Sequence, residues 1–473
     1  MEYDTTTPIY TTADRTSFAY SSARERWPVI LTGAIDDVHK AVSNAADQSK
    51  RKEGKSIIAE LTKLKYELQH DRALTDLADD GKPDITEYNK ELKALGYPSW
   101  LNVPWLFSEC YLYRRVATYF SLSEHWKSHD VFARKKIHTF LSSRAAVVEL
   151  ASRYQELVSE IHKNNTKNEE EIDALEQTLF IEVCKICLWG NATDLSLLTV
   201  LSYEDIQKIQ SSGARKTSEE RILIDDLASA YEVLKRAKKA GKLAKVDIVL
   251  DNAGFELYVD LILAGFLLST GLANNIILHS KSIPWFVSDV VPADFGALLN
   301  ILASPQTFES VSEEEIFTRT NIEPLASKEL DALDFVFQQL TGFHNEGQII
   351  LRENRFWTEA GSFWRLPGTA TQLYNDLKES ELVIFKGDLN YRKLTGDAKW
   401  DPTTPFEKSL GPMGPGSGVN ILSLRTCKSD VIVGLKEGED ERLRSFEGCG
   451  DSETRMWAWT GKWAVMSFSH GKE

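Results

Sequence analysis

A stretch beginning at Val246, VDIVLDNAGFELYVDLILAGFLLSTGL, restricts what the chain can fold into more than any other. Val246 to Leu250 are mostly branched and apolar and read as a short buried β-strand. The strand stops at Asp251-Asn252, and a turn at Ala253-Gly254 leads into a helix with apolar positions at Phe255, Val259, Ile262 and Phe266. Strand, polar pair, tight turn and helix is how open α/β sheets place ligand sites at the carboxyl ends of strands. Glu256 and Asp260 stand four residues apart, on one helix face. With Asp251 and Asn252 they offer hard oxygen atoms suited to magnesium or manganese. Asp and Asn are also favoured helix caps, and acids in a first turn complement the helix dipole. The stretch by itself leaves both readings open.

Composition narrows the function classes. The 473 residues suffice for two or three domains, or one large enzyme domain with an appendage. A net charge of -15 argues against a general nucleic-acid or anionic-membrane binder. No apolar run reaches a membrane span, and the start MEYDTTTPIYTTAD has no signal-peptide core, so a cytoplasmic address is expected. Five scattered cysteines do not suggest a disulfide framework, and Cys184 and Cys187, a C-x-x-C without a second pair, are expected as helix-core residues.

Three regions follow from the pattern. Residues 1–22 are polar and read as a surface arm, and residues 23–240 are mainly helical. Within them PWLFSECYLYRR sets Glu109, Arg114 and Arg115 among aromatics, as structural ion pairs or a pocket wall. Gly190-Asn191 reads as a turn before a helix capped near Thr193 or Asp194. The stretch ERILIDDLASAYEVLKRAKKAGKLAKV closes the helical region. From residue 241 to 473 short apolar strands appear at VDIVL, NNIILHSK, PWFVSD, ELVIFKGD, VNILSLRT, DVIVGL and KWAVMSF. Several are separated by helical segments, which predicts an α/β domain with a largely parallel sheet. GPMGPGSG lacks the context of a phosphate-binding glycine loop and is expected as a flexible loop.

Polar residues recur at the ends of those strands. Asp251-Asn252 follow VDIVL, Asp289 follows PWFVS with Asp294 beyond it, Asp388 begins DLNYRKL after ELVIFKG, and Arg425, Thr426 and Lys428 end VNILSLRTCK. Parallel strands would bring these clusters to one sheet edge. Asp251, Asn252 and Asp289 suit a divalent ion, and Arg392 and Lys428 suit phosphate oxygens, which points to metal-assisted phosphate chemistry with water as the attacking group. No G-x-S-x-G elbow follows a strand and no HExxH is present, so serine and zinc hydrolysis are not expected.

At these residues the chain resembles a known family. DNAGFELYVDL, WFVSDVVPADF, FKGDLNYRKL and the RTCK at Arg425 to Lys428 are similar to the metal-dependent damage-control phosphatases formerly called domain of unknown function 89, RTCK matching the RTxK signature of subfamily III. RWPVILTGAIDD, PWLFSECYLYRR and WGNATDLSLL extend the resemblance over nearly the whole chain after residue 22. It implies a helical N-terminal domain on a three-layer α/β/α sandwich. It implies hydrolysis of phosphorylated metabolites, notably fructose 1-phosphate and fructose 6-phosphate, supported by manganese, cobalt or nickel, or by magnesium. On this resemblance Asp251, Asn252 and Asp289 hold the metal, and substrate contacts fall on Asp251, Asn252, Asp388, Leu389, Asn390, Tyr391, Arg392 and Lys428. Glu256 matches a position linked with S-adenosylmethionine in related proteins, and with Asp260 is expected behind the metal ligands. The alternative activity is S-adenosylmethionine-dependent methylation of protein glutamate, although no glycine-rich cofactor loop follows a first strand.

Overall fold

The computed structural model describes residues 6–163, 169–190, 220–309, 324–446 and 454–472. Asn191 and the expected cap at Thr193 or Asp194 lie outside them. Seven strands, β1 (Ile222–Asp225), β2 (Lys245–Val249), β3 (Asn275–Ser280), β4 (Ile349–Glu353), β5 (Leu382–Lys386), β6 (Ile421–Thr426) and β7 (Ala464–Ser469), form one sheet. Their order is β1-β7-β6-β5-β2-β3-β4. The run from β6 to β4 is parallel throughout. β7 lies antiparallel to β6, and β1 pairs parallel with β7 at the edge.

Every residue of β5 is buried, because both faces of the sheet are covered. Val383 and Phe385 belong to one apolar core, with Trp27 of α1 (Trp27–Asn44) and Trp105 of α2 (Trp105–Ser121). Leu382 and Ile384 belong to another, with Phe180 of α3 (Glu169–Trp189) and Tyr258 of α4 (Phe255–Ser269). The two-residue period of a strand thus sends alternate side chains into two helical layers. The result is an α/β/α sandwich in which the helical N-terminal part supplies residues to both outer layers. Cys184 and Cys187 are buried in α3, as expected of helix-core residues.

Several local expectations change. PWFVSD forms no strand: Phe286 and Val287 have φ of 43° and 71°, outside the extended region. DVIVGL is a buried coil whose backbone groups find side-chain partners: Arg425 donates to the Val431 carbonyl at 2.6 Å, and the Val433 N–H donates to the Tyr391 hydroxyl at 3.2 Å. ILID in the expected helical region is β1, and IILRE is β4; both are edge strands with partly exposed residues and a weak apolar signal. GPMGPGSG, expected to be loose, closes into successive turns around buried Met413. The N-terminal arm is docked rather than superficial, with Tyr10, Thr12, Ser17 and Ala19 buried.

The chain proceeds from β2 outward to β3 and β4, then returns to the other side of β2 as β5 and β6. The direction of winding therefore switches between β2 and β5, where an open α/β sheet parts to leave a crevice at its carboxyl edge. Asp251 follows β2 and Asp388 follows β5.

Candidate functional site

A cleft of about 320 Å³ opens at that switch point. Asp251, Asn252, Asp289, Asp388, Leu389, Arg392 and Lys428 line it together with Arg26, Trp105, Glu109, Phe286 and Ser288. Its volume lies within the range of small-molecule sites.

The floor is built from two loops tied by backbone bonds. The Ala253 N–H donates to the Ser288 carbonyl at 2.7 Å, and the Val290 N–H donates to the Asp251 carbonyl at 2.9 Å. Asp289 is thereby set beside Asn252 although no strand precedes it. A β-branched residue such as Val287 in the left-handed region is strained by about 1–3 kcal/mol, and the loop ties hold it there. On the other side Gly387 opens the helix α5 (Gly387–Leu394) with φ of 84°. A Cβ there would come within 1.9 Å of Asp251 Oδ2, so glycine is required both by the backbone and by the carboxylate.

Too few cations face the floor carboxylates. Asn252 Nδ2 donates to Asp251 Oδ2 at 2.7 Å and to Glu256 Oε2 at 2.8 Å, while Ser288 Oγ donates to Asn252 Oδ1 at 2.5 Å. Burial, then the charges of Glu256 and Asp289, push the Asp251 carboxyl well above its ordinary value. Burial also raises Asp289, to about 6, against the pull of Lys281, whose Nζ is 3.4 Å away. Asp289 Oδ2 is buried with no hydrogen-bond partner. Repelling carboxylates, and a buried acceptor whose nearest cation is the Lys281 ammonium at 3.4 Å, fit a divalent cation, which would neutralise the repulsion.

Behind this floor, Lys386 Nζ donates to Asp260 Oδ1 at 2.6 Å, to the Cys187 carbonyl at 3.1 Å and to Glu256 Oε1 at 3.4 Å. Glu256 thus bridges Asn252 to a buried lysine, while Asp260 faces that lysine and not the cleft. Burial raises Asp260 to about 7 even against Lys386.

The opposite wall is charge-balanced. Asp388 Oδ1 accepts from Arg425 Nε at 2.7 Å, the Lys428 N–H at 2.9 Å and Ser429 Oγ at 3.0 Å. Burial would raise this carboxyl, but Arg425 and Arg392 hold it below its ordinary value, so it stays ionised. Arg392 is held by Asp397, through Nε and Nη2 at 3.0 Å each, and by Glu109, through Nη1 at 2.8 Å, with its plane 3.7 Å over the Trp105 ring.

Asn390 and Tyr391 are not brought to the cleft. Asn390 Nδ2 donates to the carbonyls of Lys386, Val249 and Leu250, stitching α5 to the end of β2. Tyr391 lies buried beneath Arg425, whose guanidinium is 4.1 Å over its ring. Of the three residues offered as ion pairs or pocket wall, Glu109 lines the cleft, whereas Arg114 is clamped by Asp80 and Asp84 and Arg115 pairs with Glu67, both elsewhere. Asp294 pairs with Lys136 and does not line the cleft. Lys281 could have been found by the strand-end rule, since it directly follows β3. Arg26, Trp105, Phe286 and Ser288 carry no comparable signal, because their approach depends on tertiary packing.

Among the described residues, Glu53, Glu124 and His125 also group as metal ligands would. Glu53 there accepts the N–H groups of Glu124 and His125, which accounts for the grouping as a loop tie on the surface. Among the described residues no helix is long and apolar enough to cross a membrane.

Comparison with known proteins finds relatives along nearly the whole chain. Residues 22–443 match the Damage-control phosphatase ARMT1-like domain family. The "Damage-control phosphatase ARMT1" of Xenopus tropicalis is 36% identical over 472 residues, 96% of each chain. The protein of the same name from Danio rerio is 36% identical over 468 residues, covering 96% of this chain and 95% of that one. A crystal structure of a DUF89 family protein from Pyrococcus horikoshii aligns over 93% of this chain and 97% of that one at 14% identity, with a TM-score of 0.34 that carries no argument. These names speak of a phosphatase and lend the methyl-transfer alternative no support. By a match along nearly its whole length, the chain belongs to the ARMT1-like family of damage-control phosphatases.

Proposed function

We propose that the chain hydrolyses small phosphorylated metabolites, with fructose 1-phosphate and fructose 6-phosphate as substrates, in a reaction dependent on a divalent metal. The observation that carries this reading is the asymmetry of the cleft: under-paired carboxylates on its floor face Lys428, for which no carboxylate partner is found among the described residues. On this reading the α/β region from residue 241 carries the metal and phosphate site, and the helical region before it closes the mouth through Arg26, Trp105 and Glu109. Asp251, Asn252 and Asp289 hold manganese, cobalt, nickel or magnesium; turning the Asn252 amide would present its oxygen to the ion. Such an ion supplies charge neutralisation at the phosphoryl group and an acidified water.

The chain's own residues do the rest. Lys428 holds a phosphoryl oxygen as a point charge. Asp388 remains ionised, with all three described donors on Oδ1, so Oδ2 is left to accept a sugar hydroxyl. Leu389, Trp105 and Phe286 give the cleft apolar surface that limits water around the leaving sugar. Asn390, Tyr391 and Arg392 act by positioning α5. The test is phosphate release from the two fructose phosphates with each metal, with and without EDTA. Release that stops on chelation and returns with metal supports the reading, and a rate indifferent to EDTA refutes it.

A further inference from the structure

Arg26, at the start of α1, is an exposed residue that reaches the cleft, and among the described residues it has no carboxylate partner. Arg392 differs: with Glu109 and Asp397 it forms a cluster of one cation and two anions, with net charge -1, so a phosphate gains little by approaching it. The Arg26 guanidinium lies 5.0 Å over the Phe18 ring. Phe18 stacks on Trp459 at 5.3 Å and meets Trp105 edge-on at 6.1 Å. Lys428 lines the same cleft, its Cε passing close to the backbone at Gly461. Two cations without carboxylate partners among the described residues therefore line the same cleft, Arg26 beside an aromatic group that includes Trp105. Only arginine presents a planar fork of donors matched to phosphate oxygens.

We propose that Arg26, and not Arg392, supplies the guanidinium that holds the substrate's phosphate in the cleft, together with Lys428. This rests on the phosphatase reading and adds to it a binding residue contributed by the helical N-terminal part. Because the contact is made in ground state and transition state alike, its loss should appear in KM.

The experiment uses the full chain with manganese. Arg26→Gln should raise KM for fructose 1-phosphate about 10- to 100-fold, the range of one hydrogen bond to a charged group, with kcat within about threefold. Calorimetric binding of inorganic phosphate should weaken by the same factor, Arg26→Lys should recover part of it, and the melting temperature should stay at the wild-type value. Unchanged KM and unchanged phosphate affinity in Arg26→Gln overturn the proposal. If the wild type binds phosphate but releases none from sugar phosphates, the phosphatase reading fails while the binding comparison still decides Arg26. A wild type that neither binds phosphate nor releases it from sugar phosphates overturns both.

Discussion

The floor of the cleft and the cluster around Asp440 use the same residue types to opposite ends. At the floor Asp251, Glu256 and Asp289 crowd round one asparagine, and two of the three carboxyls are pushed upward. Around Asp440, Arg444 and Arg455 donate to one carboxylate at 2.9–3.1 Å and the Trp457 indole donates at 2.9 Å. Burial would raise that carboxyl, yet its partners bring it down to about 2. The Asp440 cluster is charge-satisfied and stabilises the fold, whereas the floor leaves anionic charge unmatched, which a folded protein tolerates where a ligand completes it.

The comparison breaks most sharply under two single substitutions. Asp251→Asn should lower phosphate release about 10³-fold, the scale of losing a group that stabilises developing charge. Its melting temperature in EDTA should equal or exceed that of the wild type, because one repelling carboxylate is gone. Asp440→Asn should do the reverse, costing about 1.5–3 kcal/mol by removing the carboxylate that two half-buried arginines share while the activity of the folded fraction persists. Steady-state rates and denaturant unfolding on both variants check this, and an Asp251→Asn protein that is active or strongly destabilised would erase the distinction.

Gly387→Ala should sharpen it. The new methyl group must displace the Asp251 carboxylate and forces alanine to φ near 84°. The expected cost is about 1–3 kcal/mol of stability and about 100-fold in rate. Equal rates for Gly387→Ala and wild type would mean that the position of Asp251 is not critical.

What the sequence could disclose follows the same divide. β2, β3, β5 and β6 announce themselves because strands buried on both faces are continuous apolar runs. The residues directly after them, Asp251, Asn252 and Asp388, are legible for that reason. Asp289 lines the cleft although PWFVSD is not a strand; a strained loop tied to Ala253 and Asp251 delivers it. Arg392 shows the limit of reading residue type alone. Its partners Glu109 and Asp397 lie 283 and 5 residues away in the chain, and no local pattern shows that both close on one guanidinium. The charge balance of a site is a tertiary property.

Metal binding should expose the floor's excess charge as a pH dependence. Asp289 is raised to about 6, so the folded chain binds its proton more tightly than the unfolded chain does. Without metal, stability should therefore fall as pH climbs from about 4, the unfolded carboxylate value, through about 6. Metal competes with that proton, so stabilisation by manganese should grow across the same window. Thermal shifts with and without manganese at pH 5 and pH 7.5 check this; a manganese shift that is larger at pH 5 would contradict the assignment of the floor as the metal site.

The smallest effect belongs to Asp430, which resembles the floor electrostatically yet has a structural task. Its Oδ2 accepts from Ser17 Oγ and the Phe18 N–H at 2.9 Å each, and its Oδ1 accepts from the Trp459 indole at 2.8 Å, so it pins the N-terminal arm. Burial raises it to about 6 despite those bonds. Its contribution to stability is therefore full below about 4 and is lost as pH rises through about 6. Between pH 4.5 and pH 7.5 the wild type should lose on the order of 2 kcal/mol from this group, a slope that Asp430→Asn should remove. Manganese should leave the difference between the two proteins unchanged, because the arm's carboxylate is completed by hydrogen bonds and not by a cation. Unfolding curves at the two pH values, with and without manganese, test this; a metal-dependent difference would place Asp430 with the floor after all.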